Sequence, residues 1–492
     1  MENRTYTRQQ VIDILEEIVG KTLGQVDKNK VFDGVVDIIK KTGIAGDVIE
    51  QSVFGYKPNT EQEPDIIVDE KEVEIKTTGL KRTKGKKAKE YPIEAKEPMS
   101  ITAVSPDKII HEEFLTSNLW HKLEYMILVY YLYDSETTVP AIGYADFPIQ
   151  GYQFHEFNDL DKKTIEKDWK VVRDYIRSLQ SLDDPTVEYP KISKLRDKMM
   201  YMDTAPKYPN PPRFRLKRKV VTAIAQEYLG KDFEILEAEY QFTSYEELDR
   251  ILRNFSNKYV GKSIEEIAQI IGITLKYNDD GVVDKKINEQ ILTSAFGVKT
   301  GKLREIDTFA KMGTIPKTIT LTSKGGRTED TKFDTIDFVE WSDPTVTFEE
   351  SSIYEFFSNQ TFLFSIFEEP YDKSPLEQNI FKGFKRLSFS EEFIYEHVQK
   401  TWDDVRNLLM NDKFEVTEER DKNGKVIINK KTGTVREKTN FPKSKDYLIF
   451  LRGTGTDSTK KTLNLKGYQI YQQQFWIKGS ALVDMLESVD FI

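Results

Sequence analysis

The chain has 492 residues, 31% of them charged, a formal net charge of −10 and no cysteine. That length allows roughly two to four domains with ample core, the missing cysteines exclude disulfides and thiolate zinc sites, and the acidic balance excludes a general nucleic-acid coat protein but not an enzyme with local basic patches. His111, His121, His155 and His397 stand without metal-ligand spacing, the start Met1-Glu2-Asn3-Arg4 lacks an apolar signal region and no apolar run reaches membrane-spanning length, so a cytoplasmic protein without a membrane partner is expected.

In chain order, an amphipathic helical stretch at residues 10–18 runs into Val19-Gly20-Lys21-Thr22. Val48, Ile49, Val53 and Phe54 then give a helix-like apolar spacing that ends at Gly55 and carries Glu50. Pro64-Asp65 leads into the apolar run Ile66-Ile67-Val68, Asp69-Glu70-Lys71 breaks it with turn-compatible residues, and residues 72–78 alternate polar and apolar with period two. Glu74 and Lys76 therefore share one strand face, with Val73, Ile75 and Thr77 on the other. A hairpin would bring Asp65 toward Glu74. Further on, Thr116-Ser117-Asn118-Leu119-Trp120-His121-Lys122 precedes a strongly apolar run from Tyr125 to Tyr133, a buried strand or helix with Lys122 at its mouth.

Two carboxylates beside an ammonium suit phosphodiester hydrolysis. Mg²⁺ takes oxygen ligands, few of them from protein, and Asp65, Glu74 and the backbone carbonyl of Ile75 can supply that partial shell. Lys76 would position the attacking water and offset charge on the phosphorane. The competing reading is a solvated strand face with an incidental ion pair; Glu94-Ala95-Lys96 repeats the pattern between Pro92 and Pro98, where a long paired strand is not expected.

The order Gly-(x)3-Glu-(x)4-Gly, Pro-Asp, Glu-x-Lys-Thr, then Thr-Ser-(x)4-Lys resembles the MutH family, and at this length the type II restriction endonucleases built from two MutH-like domains, which cut at GATC. The resemblance places Asp65, Glu74 and Lys76 on the catalytic positions, Glu50 on an additional acidic position and Lys122 on a second active-site lysine. It extends loosely to Glu166-Lys167-Asp168-Trp169 and Gln474-Phe475-Trp476-Ile477. It implies Mg²⁺-dependent double-strand cleavage of DNA at a short palindrome, with a DNA-induced homodimer as one way for a single active site to cut both strands. Where relatives carry a Thr-Lys-Gly-type recognition loop this chain has residues 194–202, rich in Lys, Arg and Met.

The chain also repeats itself. Val19-Gly20-Lys21-Thr22 returns as Val260-Gly261-Lys262-Ser263, Trp169 with Arg173 as Trp402 with Arg406, and Phe214-Arg215-Leu216-Lys217 as Phe475-Trp476-Ile477-Lys478, in the same order. The expected architecture is α/β: two tandem MutH-like domains, each a mixed sheet flanked by helices, spanning 1–235 and 236–492. In the second, Leu292 stands for Glu50, Asp307 is matched to Asp65, and Thr318-Ile319-Thr320-Leu321 takes the place of Glu-x-Lys. That half is expected to bind DNA without cutting it and to act as an allosteric effector.

DNA contacts are expected from the basic run Lys81-Arg82, Lys84, Lys86-Lys87 and Lys89, from the alternating strand Arg213, Arg215 and Lys217, from Lys478, and from the small-residue loop at 452–458 with Arg452, followed by Lys460-Lys461. A solvated loop is the alternative for the first run and for the last. Pro206 to Pro212 is expected to form a loop inside the first domain. Two other functions fit the same residues: a strand-nicking mismatch-repair endonuclease, and a non-catalytic DNA-binding regulator.

Overall fold

The computed structural model describes residues 4–38, 41, 43–56, 64–83, 92–135, 137–205, 212–298, 301–327, 329–429, 433–455 and 460–492. Contacts divide the chain into two compact units: Met1–Ser135 with Val139–Leu252 and Leu292–Thr314, and Glu136–Thr138 with Arg253–Ile291 and Ile315–Ile492. No single cut in the sequence separates them. Residues 84–91, 206–211 and 456–459, which include most of the basic run and the tip of the 452–458 loop, lie outside the described residues.

The first unit is built on a six-stranded mixed sheet in which β1 (Thr5–Tyr6), β2 (Ile66–Val68), β3 (Lys71–Arg82), β6 (Met126–Leu132) and β7 (Ile149–His155) lie side by side, with β4 (Ile93–Ala95) paired to the far end of β3. β2 and β3 form an antiparallel hairpin, Ile66 opposite Val73 and Val68 opposite Lys71. Its two turn residues, Asp69 and Glu70, have φ of 46° and 68°, the pairing that matches the twist of a two-residue hairpin. β6 runs parallel to β3 and is buried along its whole length, which settles the run after Tyr125 as a strand. Strands covered on both faces read as continuous apolar runs, so periodicity could not distinguish strand from helix there.

A second sheet of this unit is antiparallel, β5 (Met99–Ala103), β9 (Arg213–Leu216) and β8 (Met202–Ala205), with β9 in the middle. The helix Asp159–Leu179 is capped by Asn158, whose side chain accepts from the Asp161 N–H. Its buried Asp168 accepts backbone N–H groups from Met200, Tyr201 and Met202 at 2.8, 2.7 and 2.9 Å, fixing the chain that enters β8. Val11, Val48, Ile49, Ile66, Val73, Ile75 and Ile127 belong to one apolar cluster beneath the main sheet.

The second unit repeats this topology. β10 (Ile315–Leu321) runs parallel to β12 (Phe362–Glu368), which pairs antiparallel with β13 (Ile380–Leu387), as β3, β6 and β7 do. β11 (Thr331–Thr335), β19 (Gln473–Ile477) and β16 (Ile449–Gly453) form an antiparallel sheet with the last strand in the middle. Small hairpins β14 (Val416–Glu418) with β15 (Glu437–Thr439) and β17 (Leu463–Leu465) with β18 (Tyr468–Ile470) complete it. Its core is aromatic, gathered around Phe333, Phe357, Phe362 and Phe475.

Local details recur with the topology. Ser117 and Ser351 both cap a helix and donate back to a phenylalanine carbonyl three residues earlier. Arg173 lies over Trp169 at 4.9 Å and Arg406 over Trp402 at 4.3 Å. Gly20 and Gly261, with φ of 80° and 87°, donate to the carbonyls of Ile149 and Phe381, each at 2.9 Å. Both turns need a left-handed residue, and glycine adopts that conformation without steric cost.

Candidate active site

The hairpin turn sets the register, and the register sets the site. Ile66 faces Val73, so Asp65, one residue earlier, comes level with Glu74. The Asp65 carboxylate accepts the Ile75 backbone N–H at 2.8 Å, which holds it against the start of β3. Glu74 is only 1% exposed and carries a lysine on each oxygen: Lys76 pairs with Oε1, and Lys122 donates to Oε2 at 2.8 Å. Lys122 sits near the end of the helix Asn118–Glu124 and is itself buried. The alternating strand thus turns its polar face inward, and the solvated-face reading fails for Glu74.

Glu50 reaches the same place from a helix, Ile44–Val48, that widens into a π turn at Ile49–Val53. Such turns are common at functional sites because they re-aim one side chain without ending the helix. A Cβ added to Gly46 would lie 3.5 Å from Thr77 Oγ1 and 4.0 Å from Glu50 Oε1, which places Glu50 over β3. Burial, then repulsion from Asp65, pushes the Glu50 carboxyl up to about 7, while Lys76 pulls the other way. The Asp65 carboxyl is also raised, first by burial and then by Glu74, against Lys76, the Ile75 N–H and Lys122.

Asp65, Glu74, Lys76, Lys122 and Glu50 are therefore one constellation, crowded with negative charge and partly neutralised by two lysines. Sequence reading missed Tyr56. Its side chain is 3% exposed, its hydroxyl finds no hydrogen-bond partner among the described residues, and Asp65, Glu50 and Glu74 all raise its pKa behind the larger effect of burial. The signal available was only its position just past the glycine that ends the Glu50 helix.

Residues 54–168 match the family described as DNA mismatch repair enzyme MutH, a span that contains Asp65, Glu74, Lys76 and Lys122. The matched span lies within the first unit. Across 421 residues, 81% of this chain and 79% of the relative, the chain is 25% identical to the type II restriction enzyme Sau3AI of Staphylococcus aureus. The similarity to that restriction enzyme extends well beyond residues 54–168, while all five site residues come from the first unit.

The second unit has a strand pair that corresponds to the one carrying Glu74. Glu74 N donates to Tyr125 O at 3.0 Å where β3 meets β6, and Ile315 N donates to Thr361 O at 2.9 Å where β10 meets β12. Glu-x-Lys therefore corresponds to Ile315-Pro316-Lys317, which corrects the expected match to Thr318-Ile319-Thr320-Leu321. The lysine persists as Lys317, donating to Lys332 O at 2.8 Å, and the carboxylate is an isoleucine. Asp307 does not precede a hairpin: it opens the helix Asp307–Met312, where it pairs with Lys311 at 2.8 Å, and Lys311 also holds Asp161 at 2.7 Å. Leu292 is buried in the helix Ile287–Ser294.

The proposed DNA contacts divide by burial. Arg213 is exposed on β9, but Arg215 forks onto buried Asp203 at 2.7 and 2.8 Å, and Lys217 is 5% exposed and donates to the Met199 carbonyl at 2.6 Å. Of the three cations Arg213, Arg215 and Lys217, two are thus engaged within their own unit rather than presented as a cationic face. Arg452 is exposed beside Trp476 and paired with Asp330 at 2.7 Å, Lys460 is exposed, and Lys478 is half-buried.

Proposed function

We propose that the chain is a type II restriction endonuclease that cuts both strands of DNA at a specific short sequence, GATC being the first site to test. The observation that carries the reading is Glu74, held between Lys76 and Lys122 beside Asp65 within a MutH-family match.

The donor set fits a hard divalent ion. Asp65 and Glu74 offer oxygen ligands with the Ile75 carbonyl adjacent, and the raised carboxyls of Asp65 and Glu50 mark a place where added positive charge relieves repulsion. Mg²⁺ keeps much of its water and needs few protein ligands. When bound, Mg²⁺ supplies Lewis-acid polarisation of the phosphate and a lowered pKa on its water. Lys76 orients the attacking water and offsets charge on the phosphorane. Lys122 holds the Glu74 carboxylate in place through its bond to Oε2. Glu50, poised near neutrality, takes up or releases a proton beside that water.

The unit boundaries 1–235 and 236–492 remain our proposal for the ancestral repeats, with the second repeat binding DNA as an allosteric effector and DNA pairing two chains across a two-fold axis. Arg213, Arg452, Lys460 and Lys478 are its proposed contacts. No helix among the described residues is long and apolar enough to cross a membrane. The test is plasmid digestion with Mg²⁺ and end sequencing of the fragments. Linear product with defined ends is expected, and Lys76→Ala should abolish it while DNA binding persists. Nicked circles alone would favour a strand-nicking mismatch-repair endonuclease; equal cleavage by wild type and variant would rule out the proposed site, and DNA binding with no cleavage by either would leave a DNA-binding regulator.

A further inference from the structure

We propose that the second unit binds a phosphate-class anion in a cavity lined by Lys400, Lys445 and Lys478; Lys400 is next in the chain to Thr401, which stands where the first unit has the buried acid Asp168. The cavity is about 220 Å³ and is also walled by His397, Tyr447 and Leu448. That is room for several waters or one phosphate group.

The two units can be aligned here residue by residue. Lys217 N donates to Tyr201 O, and Lys478 N to Leu448 O, each at 2.9 Å. Met202 pairs with Leu216, and Ile449 with Ile477. The Trp169–Arg173 and Trp402–Arg406 stacks then equate Asp168 with Thr401 and Lys167 with Lys400. In the first unit the anion is built in: Asp168 receives three backbone N–H groups and faces Lys217, and Lys167 is paired with Glu247 at 2.7 Å.

In the second unit the acid is gone but the cations are not. Thr401 is fully buried and spends its hydroxyl on the carbonyls of Ile449 and His397. Lys400 lies 5.2 Å from the Tyr447 ring, whose hydroxyl is committed to Asp404 at 2.7 Å. Lys400, Lys445 and Lys478 take part in no ion pair within salt-bridge distance among the described residues, and Asp446 is the one carboxylate on the cavity wall. Lys400 and Lys445 are exposed and Lys478 half-buried, so their ammonium groups are open to an incoming anion, and charge-assisted bonds from lysine to phosphate oxygens would hold it.

The experiment is calorimetric titration of the full-length protein with inorganic phosphate at constant ionic strength, paired with thermal unfolding. Saturable binding of one equivalent and a raised Tm are expected, with Lys400→Gln and Lys445→Gln each weakening binding roughly tenfold. Lys478→Gln should weaken binding likewise, because all three lysines line the cavity. Absence of saturable binding by wild type, or undiminished binding in the lysine variants, overturns the proposal. A duplex arm separates the sources: competition between inorganic phosphate and duplex DNA, lost in Lys400→Gln, identifies a backbone phosphate, while duplex affinity indifferent to phosphate identifies the free ion. That arm alone rests on DNA binding, so an enzyme that fails to cut or bind DNA leaves the phosphate titration decisive.

Discussion

Glu74 is a carboxylate removed from water and held by two ammonium groups, so its worth depends on both partners. Lys122→Ala strips Oε2 of its donor and leaves the acid half-compensated; cleavage should fall by about 10²–10³ with little change in DNA affinity, read as kcat against KM on an oligonucleotide duplex. A second residue-scale consequence concerns His155. Burial, then Lys311, lowers its pKa from 6.5 to about 4, and its Nε2 is buried without a partner among the described residues although the ring as a whole is half-buried. The folded state therefore resists protonation while the unfolded chain accepts it. Stability from this group is full above about 6.5 and is lost as pH falls toward 4, on the order of 2 kcal/mol after allowing for partial exposure. Urea titrations between pH 7 and 4 should show that loss in wild type and a shallower one in His155→Phe.

At the scale of elements, the helix Asp159–Leu179 is tied to the strand β8 by a single side chain. Asp168→Asn keeps the shape but offers an NH₂ to backbone N–H groups that need acceptors, and it removes the partner of Lys217. A loss of about 2–4 kcal/mol is expected by denaturant unfolding. The helix at Asp307–Met312 makes a similar tie, because Lys311 is 3% exposed between Asp161 and Asp307. Lys311→Ala would strand two buried acids, at a cost of about 3–5 kcal/mol, measured the same way.

For the molecule as a whole, the interleaved units change what truncation means. A fragment ending at residue 240 keeps every residue of the candidate site but loses 292–314, which belongs to the first unit and brings Lys311 to Asp161. It should unfold at lower temperature than full-length protein by circular dichroism, so weak cleavage by that fragment would not by itself reveal an effector role. A full-length protein with Lys478→Ala and Arg452→Ala tests that role without disturbing the fold of the first unit.

The sequence by itself determined the hairpin, the shared face of Glu74 and Lys76, and the existence of a repeat, because period-two alternation, a polar turn and recurring motifs are local properties of the chain. It also placed Lys122 and Glu50 near the site through family resemblance. Only the tertiary structure decided that Lys122 bonds Glu74 directly, since the two lie 48 residues apart and the helix must dock on the sheet before they meet. The same holds for Arg215 and Lys217: their alternation suggested a cationic face, but buried Asp203 and the Met199 carbonyl claim them. Strand register, not sequence spacing, likewise moved the vacant Glu-x-Lys of the second unit to Ile315-Pro316-Lys317. Which charges pair and which remain for a ligand is a matter of distances across the fold, and residue order does not contain them.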